Sequence, residues 1–151
     1  MKKFSEALAQ FRDGLIPEME LEKRLEGNLL IREGDSGEIH IQHNANLTDL
    51  CEIRASHLCE FLKKYMAGKI SADSLSRWTN IMLFLMMGGI YEVSKEATEK
   101  EEDAIIDALH ELGSPEINGD ITIEKATNLL NSLKVFSVNY SHNSRQTNSI
   151  V

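Results

Sequence analysis

Proline occurs twice and glycine nine times in 151 residues, which excludes a collagen-like repeat and Pro-rich linkers. Cysteine also occurs twice. Cys51 and Cys59 lie eight apart on what reads as one helix, on the order of 12 Å at about 1.5 Å of rise per residue. That is too far for a disulfide, and it points to a reducing compartment. Long hydrophobic runs are missing too. The longest near-apolar stretch, residues 81–90, falls far short of the roughly 20 residues that span a bilayer. In residues 1–20, Glu6, Arg12 and Asp13 interrupt any apolar stretch that could serve as an export signal. These absences lead us to expect a cytoplasmic protein with no membrane partner. Basic charge is scarce: 16 Lys and Arg stand against 24 Asp and Glu, a net charge of −8. Phosphate binding needs clustered Lys and Arg, so direct nucleic-acid binding is not expected. A basic partner fits the charge better.

What is present is an ordinary soluble composition, 42% hydrophobic and 26% charged. The length suits one domain with its own core. We expect residues 1–136 to form a single globular domain and residues 137–151 to be a polar tail or edge strand.

Period and punctuation give the elements. Phe4, Leu8 and Phe11 share a face of a helix over 3–13 that Gly14 ends. Pro17 opens a second helix with Leu21 and Leu25 inward and Gly27 as its stop. Over 28–43 the period shortens. Leu30 and Arg32, then Ile39 and Ile41, belong to alternating runs around Gly34-Asp35-Ser36-Gly37, which reads as a β-hairpin. From Leu47 a helix carries Leu50, Cys51, Leu58, Phe61, Leu62 and Tyr65 as its stripe and closes at Gly68.

Ser71 caps the next helix, with Leu75, Trp78, Ile81, Met82 and Leu85 on one face. Its end, 81–87, is apolar all round, which implies full enclosure before Gly88-Gly89 breaks it. A helix over 98–112 and a last one capped by Thr122, with Ala126, Leu129, Leu130 and Leu133 inward, complete the series. Phe136, Val138 and Tyr140 alternate with Ser137 and Asn139, as a third C-terminal strand would. The expected fold is α+β, mainly α, a helical bundle-like domain with a small hairpin.

Candidate sites are few. His57 sits six positions from Cys51 and two from Cys59, where it points away from both on a helix, so the cysteines read as core. The five histidines show no zinc-ligand spacing, and no metal or other cofactor is expected. Residues 118–124 resemble half a calcium loop, but the first ligand position falls on Ser114 and the bidentate glutamate on Lys125, which rejects calcium. No nucleophile elbow, phosphate loop or dinucleotide fingerprint occurs, so no enzyme is expected.

The charge is unevenly placed. From residue 92 to 124 there are eleven acids against Lys95 and Lys100, a net of −9, so the rest of the chain carries +1. Ten of these acids form the candidate docking set: Glu92, Glu96, Glu99, Glu101, Glu102, Asp103, Asp107, Glu111, Glu116 and Asp120. Glu124 closes the segment. One reading is a solvated helix face that aids solubility. The other is an acidic surface that speeds association with a cationic protein.

Two stretches carry a resemblance. Residues 61–78, FLKKYMAGKISADSLSRW, resemble a helix–GxIsaxxLsxW–helix segment. Residues 108–124, ALHELGSPEINGDITIE, resemble LxELxSPEINGxIT. Together they resemble small α-helical bacterial immunity proteins of contact-dependent growth inhibition and other polymorphic toxin systems, over about residues 47–133. The resemblance implies a one-to-one inhibitor of a cognate toxin, often a basic nuclease, whose active site the acidic surface would cover. It carries over no binding residue, because the toxin-facing positions of such proteins vary. The alternative is a non-enzymatic regulatory or adaptor protein that binds another intracellular protein. An enzyme whose distributed site collects His57, His110 and several acids is a third.

Overall fold

The computed structural model describes residues 4–36, 38–44 and 50–150, with side chains described as far as Phe136. Helix α1 (Ser5–Arg12) buries Ala7, Leu8 and Phe11. It turns off at Gly14, whose φ is +76°. A Cβ there would lie 2.7 Å from Lys64 Nζ and 3.0 Å from Phe61 Cζ, so this turn needs glycine for its dihedral and for close approach. Helix α2 (Glu18–Arg24) follows Pro17, whose missing N–H costs nothing at a helix start, and buries Leu21.

Strand β1 (Leu29–Glu33) pairs antiparallel with β2 (Ile39–His43), Ile31 opposite Ile41. Leu29 and Ile31, rather than Leu30, face the core. Gly37 of the expected turn lies outside the described residues, as does the expected helix start at Leu47.

The structure corrects the next stretch. Cys51 is not on a helix but in strand β3 (Cys51–Ile53), and α3 (Ala55–Met66) begins only after Arg54, which is extended at φ −127° and ψ 164°. Buried Cys51 and Ile53 flank exposed Glu52, a period of two too short to stand out in sequence. Helix α4 (Ala72–Met87) is capped as expected, the Ser71 hydroxyl accepting from Ser74 N at 3.1 Å. Its end is not enclosed, since Phe84 is 43% and Met87 76% exposed. Strand β4 (Tyr91–Val93), not anticipated, pairs parallel with β3.

Helix α5 (Glu99–Gly113), the single turn α6 (Pro115–Asn118) and α7 (Ile123–Ile150) complete the chain. The backbone of 137–150 continues α7, so the third strand does not form there. A helix satisfies its own backbone groups without needing a sheet edge. The architecture is mainly helical α+β. Its core gathers buried residues from Ala7 to Leu133, with α5 packed on α4 and α7 on α3. Trp78 stacks on Phe61 at 3.8 Å between centroids and donates to Phe11 O at 3.3 Å, which ties α4 to α3 and α1. Among the described residues no helix is long and apolar enough to cross a membrane.

Candidate docking site on the acidic face

Helix α5 starts at Thr98, whose hydroxyl accepts from Glu101 N at 3.1 Å, and Glu99, Glu101 and Glu102 then sit in its first turn, where the helix dipole favours carboxylates. The structure separates these acids. Glu101 is 3% exposed and points inward. Arg54 donates to both of its oxygens at 2.9 Å, and Ala55 N donates to Oε2 at 3.1 Å. Burial pushes the Glu101 carboxyl up, but these hydrogen bonds outweigh it and hold the group below its ordinary value. Glu101 therefore leaves the docking set and instead staples α5 to the start of α3. The sequence held the signal: positions 101, 105, 108 and 112 form one helical stripe, whose other members, Ile105, Ala108 and Leu112, are buried.

Glu99, Glu102, Asp103 and Asp107 are exposed, and among the described residues they take part in no ion pair. Positions 99, 103, 107 and 111 repeat at i+4, a row of like charges in which each neighbouring pair costs about 0.2–0.5 kcal/mol. Glu111, in the last turn, is half-buried and paired with Lys125 at 3.3 Å. The Lys125 ammonium also donates to Asn118 O at 2.9 Å and Gly119 O at 2.7 Å, filling the turn that resembles a calcium loop. Between α5 and α7 lies a groove of about 550 Å³. Ala104 and Leu129 give it apolar surface above the buried Ala108 and Leu133, and Asp107, Glu111 and Glu124 stand among its walls.

The remaining acids lie elsewhere. Glu92 is half-buried on β4, opposite Glu52. Glu96 is exposed, 3.8 Å from Arg54. Asp120 is exposed, and Glu116 lines a different cleft of about 600 Å³ with Glu33, Glu38, Asp73 and Arg77. Arg77 is already held by Glu18, its Nη2 donating at 2.9 Å, and that hydrogen bond raises its pKa. Local spacing could not have brought the hairpin acids to Glu116.

Compared with family models, curated proteins and solved structures, the chain finds no match.

A second polar cluster lies half-buried at the C-terminal end of α1. Arg12 donates to Asp13 Oδ1 at 2.8 Å, to Glu52 O at 2.7 Å and to Cys51 Sγ at 3.4 Å. The hydrogen bond from Arg12 holds Asp13 below its ordinary value. His57 Nδ1 accepts from Arg54 N at 2.8 Å, and Nε2 lies 3.8 Å from Asp13. Burial, with the charge of Arg12, lowers His57 to about 4, and burial raises the Cys51 thiol. A nucleophilic cysteine needs a lowered pKa, so this arrangement opposes thiolate chemistry. It knits α1 to β3 and α3. His110 is exposed in the last turn of α5, and among the described residues no group of three His, Cys, Asp or Glu could hold a metal ion.

Proposed function

We propose that this protein is a cytoplasmic immunity protein that binds a cognate bacterial toxin one-to-one and covers a basic, nuclease-type active site. The observation that carries the reading is the row Glu99, Asp103 and Asp107 with Glu102: four exposed carboxylates on one helix, with no ion pair among the described residues. Their mutual repulsion works against the isolated fold and is relieved when a cation arrives. A cationic nuclease cleft supplies such charge. The acidic helix would occupy it as nucleic acid does, without binding nucleic acid itself. The resemblance of residues 61–78 and 108–124 to immunity proteins points the same way. The reading assigns the protein no catalytic step and no cofactor.

The test uses the reading frame immediately upstream in the native locus. Its C-terminal region is induced in cells with and without this protein, and growth and RNA or DNA integrity are followed. Growth arrest rescued by this protein, with the two co-purifying, is the expected result. Toxicity without rescue, or no toxicity, overturns the reading in favour of an adaptor protein.

A further inference from the structure

The groove between α5 and α7 carries more than charge. It exists because α5 packs on α4 and α7 on α3, and because Ala104 and Ala108 leave α5 thin on the side facing α7. Leu129 is half-buried and adds apolar surface that the fold does not cover fully. Carboxylates rise from both walls, Asp107 and Glu111 from α5 and Glu124 from α7. Among the described residues the one lining cation, Lys125, is spent on Glu111 and on the carbonyls of Asn118 and Gly119.

We propose that this groove takes a cationic amphipathic helix of the partner, with apolar side chains on Ala104 and Leu129 and Lys or Arg along both edges. The inference rests on the immunity reading for the partner's identity, but not for its chemistry. A helix fits where a strand does not. Both walls are helices, so there is no sheet edge to pair an extended segment, whereas a helix satisfies its own backbone groups. From Thr122, just before α7, to Leu133 on it, the lining runs about 16 Å at 1.5 Å per residue, or roughly three turns of a docked helix. A second copy of this chain docking face to face would bring carboxylates to carboxylates, so charge selects a different, basic partner.

The probe is a labelled synthetic helix of about four turns, with leucines at i, i+3, i+4 and i+7 and lysines on both flanks. Fluorescence anisotropy follows its binding to the full chain. Saturable binding is expected that weakens with salt and is lost when the lysines become glutamates. Ala104→Leu, which fills the groove, and the exposed pair Asp107→Lys with Glu124→Lys should each weaken binding about tenfold or more, a shift of at least about 1.4 kcal/mol. Urea midpoints of the variants check that each is folded. No saturable binding, equal binding by a scrambled peptide, or unchanged binding by folded Ala104→Leu overturns the proposal. Its failure is separable from that of the immunity reading. A toxin still neutralised by Ala104→Leu removes the groove and leaves immunity standing. Groove binding with no toxin upstream does the reverse.

Discussion

At the scale of single residues, Glu101 and His57 show how much of the charged chemistry is internal. Removing the buried Glu101 carboxylate takes from Arg54 its closest charge partner, leaving the more distant Glu96 at 3.8 Å, and takes from Ala55 N its acceptor. Glu101→Ala should therefore cost on the order of 3–5 kcal/mol in urea denaturation, while Glu102→Ala one position on should stay within about 0.5 kcal/mol. Equal effects would mean that the contact between Arg54 and Glu101 does not hold α5. His57 sets the response to acid. Its value falls from 6.5 in a free chain to about 4 in the fold. The unfolded chain therefore binds the proton more tightly, and the contribution, on the order of 3 kcal/mol, is whole above pH 6.5 and drains away towards pH 4. Asp13 and Glu101, both lowered, lose their contributions further down. Urea midpoints measured from pH 7 to 4.5 should fall for the wild type and fall less for His57→Gln. A flat wild-type curve rejects the buried neutral imidazole.

At the scale of elements, helix ends were legible wherever their chemistry is local. Ser71 and Thr98 cap α4 and α5, Thr122 bonds Lys125 N at 3.1 Å, and Gly14 and Gly68 both take positive φ after α1 and α3. The two glycines should nevertheless respond differently to alanine. At Gly68 a Cβ meets nothing, so Gly68→Ala costs about 1–2 kcal/mol for the left-handed backbone. At Gly14 the Cβ also strikes Phe61 and Lys64, so Gly14→Ala should cost more. Thermal melts of the two variants decide it, and a smaller loss at Gly14 would show that Phe61 yields without penalty. What the sequence did not disclose is long-range. Strands β3 and β4 are three residues each and pair across forty positions, Cys51 with Tyr91, so no local period announces them. The same holds for the site. Exposure of Glu99, Asp103 and Asp107 follows from the period of α5, but the groove depends on where α7 lies, and the company of Glu116 on how the hairpin folds back.

At the scale of the molecule, the net charge of −8 is arranged rather than merely carried. Once Glu101 is assigned to Arg54 and Glu111 to Lys125, the exposed carboxylates Glu99, Glu102, Asp103 and Asp107 form a compact set that takes part in no ion pair among the described residues and outnumbers Lys100 on the same helix. Such a field raises the rate at which a cationic protein arrives, by 10 to 10³-fold in general, and salt screens it over about 10 Å at 0.1 M. Neutralising Glu99→Gln, Glu102→Gln, Asp103→Asn and Asp107→Asn together tests this without putting cations at the start of α5, where the dipole would oppose them. Losing the favourable dipole contacts of the first turn is offset by losing the i+4 repulsions, each about 0.2–0.5 kcal/mol, so stability should move by less than about 1 kcal/mol. Association with the proposed toxin partner, followed by stopped flow, should slow about tenfold or more at low salt, and the plot of rate against salt should flatten. A variant that is equally stable and associates as fast, with the same salt slope, would place the proposed partner on another surface. The acidic cleft of Glu33, Glu38, Asp73 and Glu116 would then be the next to neutralise.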